Sequence, residues 1–276
     1  MIKFVRTLLI LLGALYAALM AVMWALQDSL IFHPQPAQSG GLRTPAGWQA
    51  EELLTRTSDG IVLQSLLIKP PGKPAPVVMY FAGNSEEVSY LAQSANLYGT
   101  FAVLLNNYRG FGKSQGVPSE KALFDDALLL YDVLAKRTDV DGRSVHLHGR
   151  SLGTGVATYL ATQRPVNSIV LTTPYDSIAG LAASAYPFVP VGLLLKHRFD
   201  SIGRAPSVDT PTLFLVAERD QVIPTASTRR LFDAWKGRKI WQVFPGFHHN
   251  DLPDAPAYWD TIAAFLATAP RRTPSQ

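Results

Sequence analysis

The sequence contains no cysteine, and charged residues make up only 17% of its 276 residues. The absence of cysteine excludes disulfide bonds, thiolate metal ligands and a cysteine nucleophile. Basic residues exceed acidic ones only slightly, for a net charge of +4, and no basic cluster indicates a nucleic-acid surface. With 47% apolar residues the chain is not a disordered one, and its length predicts one large domain or two small ones.

One long apolar run near the N-terminus accounts for part of this apolar content. Between positions 7 and 26 only Thr7 and Gly13 fall outside the apolar class, and no other stretch approaches this length. A helix over this run would span about 30 Å, the thickness of the hydrocarbon core of a bilayer. We therefore predict an N-terminal transmembrane helix that forms a membrane anchor over residues 1–28.

The charges beside this run predict the side of the membrane on which the remainder lies. Lys3 and Arg6 precede the run, and basic residues before a first apolar helix favour a cytoplasmic N-terminus. The rest of the chain is then expected outside the cytoplasm, in the periplasm if the source is a bacterium. Two alternatives remain open. A cleaved signal peptide has a shorter apolar region of roughly 7–15 residues, and a buried core helix is seldom apolar on every face.

After a connector rich in Pro, Gly and Gln at 27–50, short apolar segments alternate with longer helical patterns. The expected strands cover residues 61–68, 76–81, 101–105, 144–148, 168–172, 212–216 and 240–244, and the expected helices 119–135, 152–163, 226–235 and 258–267. This alternation is typical of βαβ units, so we predict an α/β fold with a mostly parallel central sheet and helices on both faces. The domain is expected over residues 29–270, followed by a flexible tail at 271–276.

The interval between the expected strands at 168–172 and 212–216 is longer than a single crossover helix needs. It contains several prolines and the apolar run 191–195. We predict a small helical cap inserted at about 177–205. Such an insertion would lie over the carboxyl edge of the sheet, where open α/β sheets place their ligands.

The motif Gly149-Arg150-Ser151-Leu152-Gly153 is the strongest chemical signal. It lies between an expected strand and an expected helix, the context in which a G-x-S-x-G turn lifts a nucleophilic serine above the sheet. The same turn would direct the Leu152 N–H, at a helix N-terminus, toward the position of an oxyanion. The alternative is a glycine-rich turn with an incidental serine.

A nucleophilic serine needs a base, and the base needs a carboxylate to orient it. In a G-x-S-x-G fold these partners follow in the order Ser, Asp or Glu, then His. Asp220 lies just beyond the expected strand 212–216, with Glu218 as a rival. His248 and His249 both follow the expected strand 240–244. Spacing alone does not distinguish the two histidines.

In this order the motifs resemble the α/β-hydrolase superfamily, and within it the Bem46/ABHD13/ABHD17-like branch of membrane-associated serine hydrolases. The resemblance covers roughly residues 29–267, and its marks are SLIFHP at 29–34, MYFAGNSE at 79–86, NYRGFGKSQG at 107–116, GRSLGTG at 149–155, ERDQVIP at 218–224 and HHND at 248–251. It implies Ser151 as the nucleophile, Asp220 as the orienting acid and His249 as the base. His249 is favoured over His248 because the branch typically reads Gly-His-Asn-Asp at this place.

The same resemblance implies an oxyanion hole made of two backbone N–H groups. One belongs to Leu152, and the other comes from the loop after the strand 76–81. Similar proteins usually have His-Gly-Asn in that loop, whereas this chain has Ala82-Gly83-Asn84. We expect the Asn84 N–H to be the second donor, since a backbone donor does not depend on the missing histidine side chain.

These residues together predict a membrane-anchored serine hydrolase that cleaves carboxylic ester or thioester bonds of lipophilic acyl substrates through an acyl-enzyme. An acyltransferase or a peptidase with the same triad is an alternative, as is a non-catalytic lipid- or peptide-binding module on a hydrolase scaffold. The expected partners are a small-molecule or lipid ester and the membrane. No cofactor, metal or nucleic acid is expected, and the sequence does not indicate a protein partner.

Overall fold

The computed structural model of the chain describes residues 1–38 and 40–269. Within them the strands are β1 (Gln49–Arg56), β2 (Val62–Lys69), β3 (Pro76–Phe81), β4 (Ala102–Asn106), β5 (Asp141–Arg150), β6 (Ser168–Thr172), β7 (Thr212–Ala217) and β8 (Lys239–Phe244). The α-helices are α1 (Ile2–Ile31), α2 (Glu120–Leu134), α3 (Leu152–Gln163), α4 (Ile178–Ala185), α5 (Val191–Leu194), α6 (Ser201–Arg204), α7 (Thr225–Ala234) and α8 (Tyr258–Thr268). Short 3₁₀ segments lie at Ser89–Tyr98, Ala205–Ser207 and Leu252–Asp254. The flexible tail expected at 271–276 lies outside the described residues.

The strands form one sheet in the order β1-β2-β4-β3-β5-β6-β7-β8. Strands β4, β3, β5, β6, β7 and β8 pair in parallel, whereas β1 and β2 pair antiparallel with each other and β2 with β4. Strands β4, β6 and β7 are buried along their whole length, as their continuous apolar runs predict for parallel strands covered by helices. The expected α/β fold with a mostly parallel sheet is confirmed.

The sequence interpretation took residues 61–68 as one strand of a hairpin but gave no bounds for its partner, β1, and the largest differences in length concern β5 and α1. Strand β5 begins at Asp141 rather than 144, and α1 continues to Ile31, beyond the predicted anchor boundary at 28. The apolar run ends before Gln27 and Asp28, but the side chains of both residues form hydrogen bonds with the segment 194–197. These bonds stabilise the helix beyond the end of the apolar run.

Helices α4, α5 and α6 lie in the insertion between β6 and β7, as predicted. We call residues 177–205 the cap. The first of these helices starts at Ser177, whose side-chain oxygen accepts a hydrogen bond from the Gly180 N–H at 2.8 Å. Such an N-cap satisfies one of the backbone donors left free at the start of a helix.

Helix α1 is the one helix of the described residues that is long and apolar enough to cross a membrane. Its most apolar 18-residue window has a mean hydropathy of 2.3, and only 6% of that window is buried within the protein. A buried core helix, one of the alternatives left open by the sequence, would instead be covered on all sides. That alternative therefore does not hold for α1.

Two histidines on β5 are buried in the core next to hydroxyl groups. The His148 ring nitrogens lie 2.6 Å from the Tyr98 hydroxyl and 2.9 Å from that of Thr172, and His146 Nδ1 lies 2.7 Å from the Ser168 hydroxyl. Burial lowers the pKa of His146 to about 4 and that of His148 to about 3. Both rings are consequently neutral in the folded protein at pH 5, where an unfolded histidine is protonated.

We expect the free energy of unfolding to fall as the pH is lowered from 6.5 toward 4.5. In this window the unfolded state binds more protons than the folded state, so each of the two histidines contributes a slope of up to about 1.4 kcal/mol per pH unit. Replacing His148→Gln removes one of these groups and should reduce the slope by about that amount. Denaturant unfolding of the detergent-solubilised protein at several pH values measures both slopes. Equal slopes for the two proteins would contradict the prediction.

Candidate active site

Ser151 occupies a sharp turn between β5 and α3. Strand β5 ends at Arg150 and α3 begins at Leu152, so Ser151 alone connects them. Its φ of 49° and ψ of −117° are unusual for a residue with a side chain, and its N–H is held by the Thr172 carbonyl at 2.9 Å. A strained non-glycine residue at such a turn is the backbone feature of a nucleophile elbow.

Close packing around this turn requires the glycines of the motif. A Cβ on Gly149 would lie 2.5 Å from the Gly153 carbonyl oxygen, and a Cβ on Gly153 would lie 2.0 Å from that of Phe81. Real carbon atoms do not approach oxygen so closely, so neither position has room for a side chain. The glycines let α3 start directly against β3 and β5, which positions Ser151 at the carboxyl edge of the sheet.

The structure brings Ser151, His249 and Asp220 into one hydrogen-bonded row. The His249 Nε2 lies 2.9 Å from the Ser151 Oγ, and its Nδ1 lies 2.8 Å from the Asp220 Oδ2. The side chains of His249 and Asp220 are only 8% and 4% exposed. The other carboxylate oxygen of Asp220 accepts hydrogen bonds from the Val222 and Ile223 N–H groups at 2.9 and 2.8 Å. The His249 ring is thus in contact with both the Ser151 hydroxyl and the Asp220 carboxylate.

The rival residues point elsewhere. The Glu218 carboxylate accepts a hydrogen bond from the Gly246 N–H at 2.9 Å. The His248 ring lies 3.2 Å from the Asp251 carboxylate, and its side chain is 45% exposed. Asp251 also accepts from the His248 N–H, so its carboxylate holds the histidine loop. Of the two adjacent histidines, only His249 faces Ser151.

The two residues expected to supply oxyanion donors line the same cavity as Ser151. Leu152 is the first residue of α3, where a helix has no partner for its N–H, and Asn84 lines the same cavity as Ser151. The Asn84 carbonyl accepts from the His33 N–H at 2.9 Å, and its side-chain amide donates to the Ile31 carbonyl at 3.3 Å. Among the described hydrogen bonds, none uses the Asn84 N–H, which leaves it available to a substrate.

A buried ion pair next to Ser151 in the chain was not predicted from the sequence. The Arg150 guanidinium lies 3.2 Å from the Glu86 carboxylate, whose side chain is 6% exposed. Glu86 also accepts hydrogen bonds from the Gly83 N–H at 2.8 Å and from the Tyr80 and Tyr90 hydroxyls. These contacts tie the loop after β3 to the elbow. Glu86 and Arg150 each belong to one of the motifs named above, but nothing in the sequence indicates that they form an ion pair.

A cavity of about 450 Å³ opens over these groups. Its lining includes the polar residues Glu86, Arg150 and Asn250. Its apolar lining residues are Leu30 and Ile31 at the end of α1, Ile178 and Leu181 of the cap, and Tyr175, Val222 and Ile223. The end of α1 is therefore part of the pocket as well as a candidate membrane span.

Potential metal ligands are not clustered in the part of the chain that the structure describes. Within residues 1–38 and 40–269, no group of three or more His, Asp or Glu residues is arranged to hold a metal ion. The row of hydroxyl, imidazole and carboxylate is instead the arrangement that activates a serine for attack on an acyl carbon.

Several known proteins are similar to this chain in sequence or in fold. No family profile matches the chain. An uncharacterized protein of Mycobacterium tuberculosis, Rv2307c, is 36% identical over 88% of this chain and 88% of its own. The uncharacterized membrane protein YNL320W of Saccharomyces cerevisiae is 30% identical over 92% of this chain and 93% of its own. The Schizosaccharomyces pombe protein bem46 is 27% identical over 82% of this chain and 79% of its own.

The chain belongs to the α/β-hydrolase superfamily. Its Bem46-like resemblance, based on ordered motifs, is confirmed by these relatives. The lysophosphatidylserine lipase ABHD12 of Danio rerio is 29% identical over 69% of this chain and 58% of its own. The solved structure of acetyl xylan esterase 1 from Thermoanaerobacterium superposes with a TM-score of 0.66 at 17% identity, over 90% of this chain and 92% of that chain. The α/β-hydrolase fold is thus confirmed, and an esterase and a lipase are among the proteins that this hydrolase resembles.

Proposed function

We propose that the protein is a membrane-anchored serine hydrolase that cleaves ester or thioester bonds of lipophilic acyl substrates. The observation that carries this proposal is the row of contacts from Ser151 through His249 to Asp220, set at a strained elbow under a half-apolar cavity. The similarity of the chain to a lipase in sequence and to an esterase in fold supports an acyl substrate.

The proposed reaction begins with proton transfer from the Ser151 Oγ to the His249 Nε2 as the oxygen attacks the acyl carbon. Asp220 keeps the His249 Nδ1 protonated and stabilises the imidazolium that forms. The negative oxygen of the tetrahedral intermediate is bound by the N–H groups of Leu152 and Asn84. Return of the proton to the leaving alcohol or thiol breaks the acyl bond and leaves an acyl-enzyme.

Hydrolysis of the acyl-enzyme repeats these steps with water as the nucleophile. His249 removes a proton from the water as it attacks the ester carbon on Ser151. Collapse of the second intermediate then releases the carboxylic acid and returns the proton to the Ser151 oxygen. Every proton is carried by the same ring nitrogen, which lies 2.9 Å from the Ser151 Oγ.

The membrane part of the proposal concerns α1 and the side on which the domain lies. We propose that residues 1–28 anchor the chain with the N-terminus in the cytoplasm, and that the hydrolase domain, residues 29–270 with the cap at 177–205, is extracytoplasmic. The docking of the end of α1 supports a retained anchor over a cleaved signal peptide. Gln27 is 5% exposed, and its amide binds the Leu194 carbonyl and the Lys196 N–H. Asp28 lies 2.9 Å from the ring of the buried His197.

A fluorophosphonate probe tests the proposed chemistry directly, because it forms a stable bond only with an activated serine. We expect the folded full-length protein to be labelled at one site, and peptide mapping to place the label on Ser151. Prior incubation with a dodecanoyl thioester substrate should slow the labelling by occupying the site. A well-folded protein that resists the probe would refute the serine hydrolase assignment.

A further inference from the structure

We propose that a second, apolar cleft between α1 and the cap binds the acyl chain of the substrate and opens into the lipid bilayer. We call it the anchor cleft; its walls include Met23 and Trp24 of α1 and Leu181, Val191 and Leu194 of the cap. This inference rests on the proposed hydrolase function, and it adds where the acyl chain lies and from where it enters.

The anchor cleft adjoins the cavity of about 450 Å³ at Ser151, which we call the catalytic cavity. Four residues line both spaces: Leu30 and Ile31 at the end of α1, and Ile178 and Leu181 on α4. In this proposal, an acyl chain whose carbonyl carbon lies at Ser151 passes between these side chains into the cleft. The polar lining residues Glu86 and Arg150 of the catalytic cavity remain for the other end of the substrate.

The chemistry of the anchor cleft suits a hydrocarbon chain. The Gln27 side chain is the one amide in its wall, and it is already bound to the Leu194 carbonyl and the Lys196 N–H. The volume is about 230 Å³. A dry apolar cavity of about 150 Å³ holds a benzene ring, so this cleft has room for more than six carbon atoms.

The length of α1 places the cap at the level of the membrane. Residues 2–15 are exposed along their whole length, and the Tyr16 hydroxyl donates to the Phe188 carbonyl of the cap at 2.7 Å. These residues before Tyr16 form a helix of roughly 21 Å, shorter than the hydrocarbon core of about 30 Å. To cross the bilayer, α1 must therefore place residues beyond Tyr16 in the hydrocarbon core as well. The contact between Tyr16 and Phe188 then lies within that core.

The exposed side chains of the cap are consistent with this depth. Phe188 and Leu193 are 61% and 87% exposed, an unfavourable state for large apolar side chains in water but not in lipid. Further along α1, the Lys196 ammonium lies 4.4 Å from the centre of the Trp24 ring. Trp and Lys are the residues found at the membrane–water interface. The anchor cleft thus begins at the depth where an acyl chain already resides.

Filling the anchor cleft should shorten the acyl chain that the enzyme accepts. Leu194 lines the cleft, whereas its neighbour Leu193 does not, so Leu194→Trp and Leu193→Trp form a matched pair. The measurement is the ratio of kcat/KM for p-nitrophenyl decanoate to kcat/KM for p-nitrophenyl butanoate, with the full-length protein in liposomes. Each methylene kept out of the cleft costs about fourfold, so we expect Leu194→Trp to lower the ratio at least tenfold. Leu193→Trp should leave it within twofold of the wild-type value.

The results separate this inference from the proposed function. If wild-type protein hydrolyses both esters and Leu194→Trp keeps the wild-type ratio, the anchor cleft is not the acyl subsite, although the enzyme is a hydrolase. If neither ester is hydrolysed, or if Ser151→Ala hydrolyses them as fast as the wild type, the proposed function itself fails. A folding defect would lower both rates together and leave the ratio unchanged, so thermal unfolding of each variant accompanies the assay.

A spin label measures the depth of the cap independently of activity. Because the chain has no cysteine, Leu193→Cys introduces its only thiol, and Leu54→Cys on β1, where the side chain is 65% exposed, provides a control on the domain. In liposomes, the nitroxide at 193 should collide more often with oxygen, which concentrates in lipid, than with a water-soluble nickel chelate. The nitroxide at 54 should show the opposite preference. A label at 193 that behaves like the one at 54 would overturn the bilayer opening.

Discussion

Replacing Ser151→Ala is expected to lower kcat for ester hydrolysis by about 10⁶-fold, the loss found when a triad nucleophile is removed. The Ser151 Oγ is 2.9 Å from the His249 Nε2, and no other hydroxyl of the described residues bonds to that nitrogen. Alanine removes the attacking oxygen and keeps the Cβ, so the glycine packing around the elbow is undisturbed. Burst and steady-state kinetics with a p-nitrophenyl ester measure the effect.

Ser207→Ala is a matched control for this variant. Ser207 is an exposed serine on the 3₁₀ segment after α6, and its hydroxyl donates to the Arg204 carbonyl. Its loss should change kcat by less than twofold. Thermal unfolding should show a folded protein for both variants. If Ser151→Ala retained more than about a hundredth of the wild-type rate, the acyl-enzyme mechanism would not hold, since the oxyanion hole alone supplies only about 10³–10⁴-fold over water.

Replacing Asp220→Asn is expected to lower kcat by about 10⁴-fold with little change in the fold. The Val222 and Ile223 N–H groups both donate to the Asp220 Oδ1, so an asparagine there must keep its carbonyl oxygen at that position. Its NH₂ group then faces the His249 Nδ1, which can only accept. The imidazole proton moves to Nε2, and the nitrogen that faces Ser151 loses the lone pair needed to accept the serine proton.

Glu218→Gln distinguishes the two candidate acids. The Glu218 carboxylate accepts one backbone hydrogen bond from Gly246, which a glutamine side-chain oxygen also accepts. We expect its kcat to stay within about threefold of the wild-type value, because the residue does not contact His249. A large loss in Glu218→Gln together with an active Asp220→Asn would reverse the assignment.

Much of the fold follows from local patterns. The strands β4, β6 and β7 were predicted within one or two residues because buried parallel strands need continuous apolar runs. The bounds of strand β1 were not predicted because it lies at the edge of the sheet. Its residues, QAEELLTR, are exposed or half-buried, so the strand lacks a continuous apolar run. The sequence also gave no sign that α1 continues to Ile31, because Gln27 and Asp28 resemble the polar end of a membrane span. Their partners lie far along the chain, and no local pattern indicates them.

The candidate site was also predictable in part from local sequence patterns. Ser151 and Asp220 each follow a strand end, and parallel strands bring such ends to one edge of the sheet. Residue spacing did not separate His248 from His249, since adjacent residues in a loop point in different directions. The pairing of Arg150 with Glu86 joins two loops that are distant in sequence. That contact follows only from the order of β3 and β5 in the sheet.

The sequence by itself determined the α/β fold, the apolar helix α1 and a short set of candidates around Ser151. Hydrophobic periodicity, run length and the glycines of a turn are properties of neighbouring residues, so one chain suffices to identify them. Only the tertiary structure decided that His249 meets both Ser151 and Asp220. It also decided that the end of α1 lines the cavity at Ser151, although the helix is also a candidate membrane span. These arrangements depend on contacts between distant segments, and such contacts exist only when the whole core has packed.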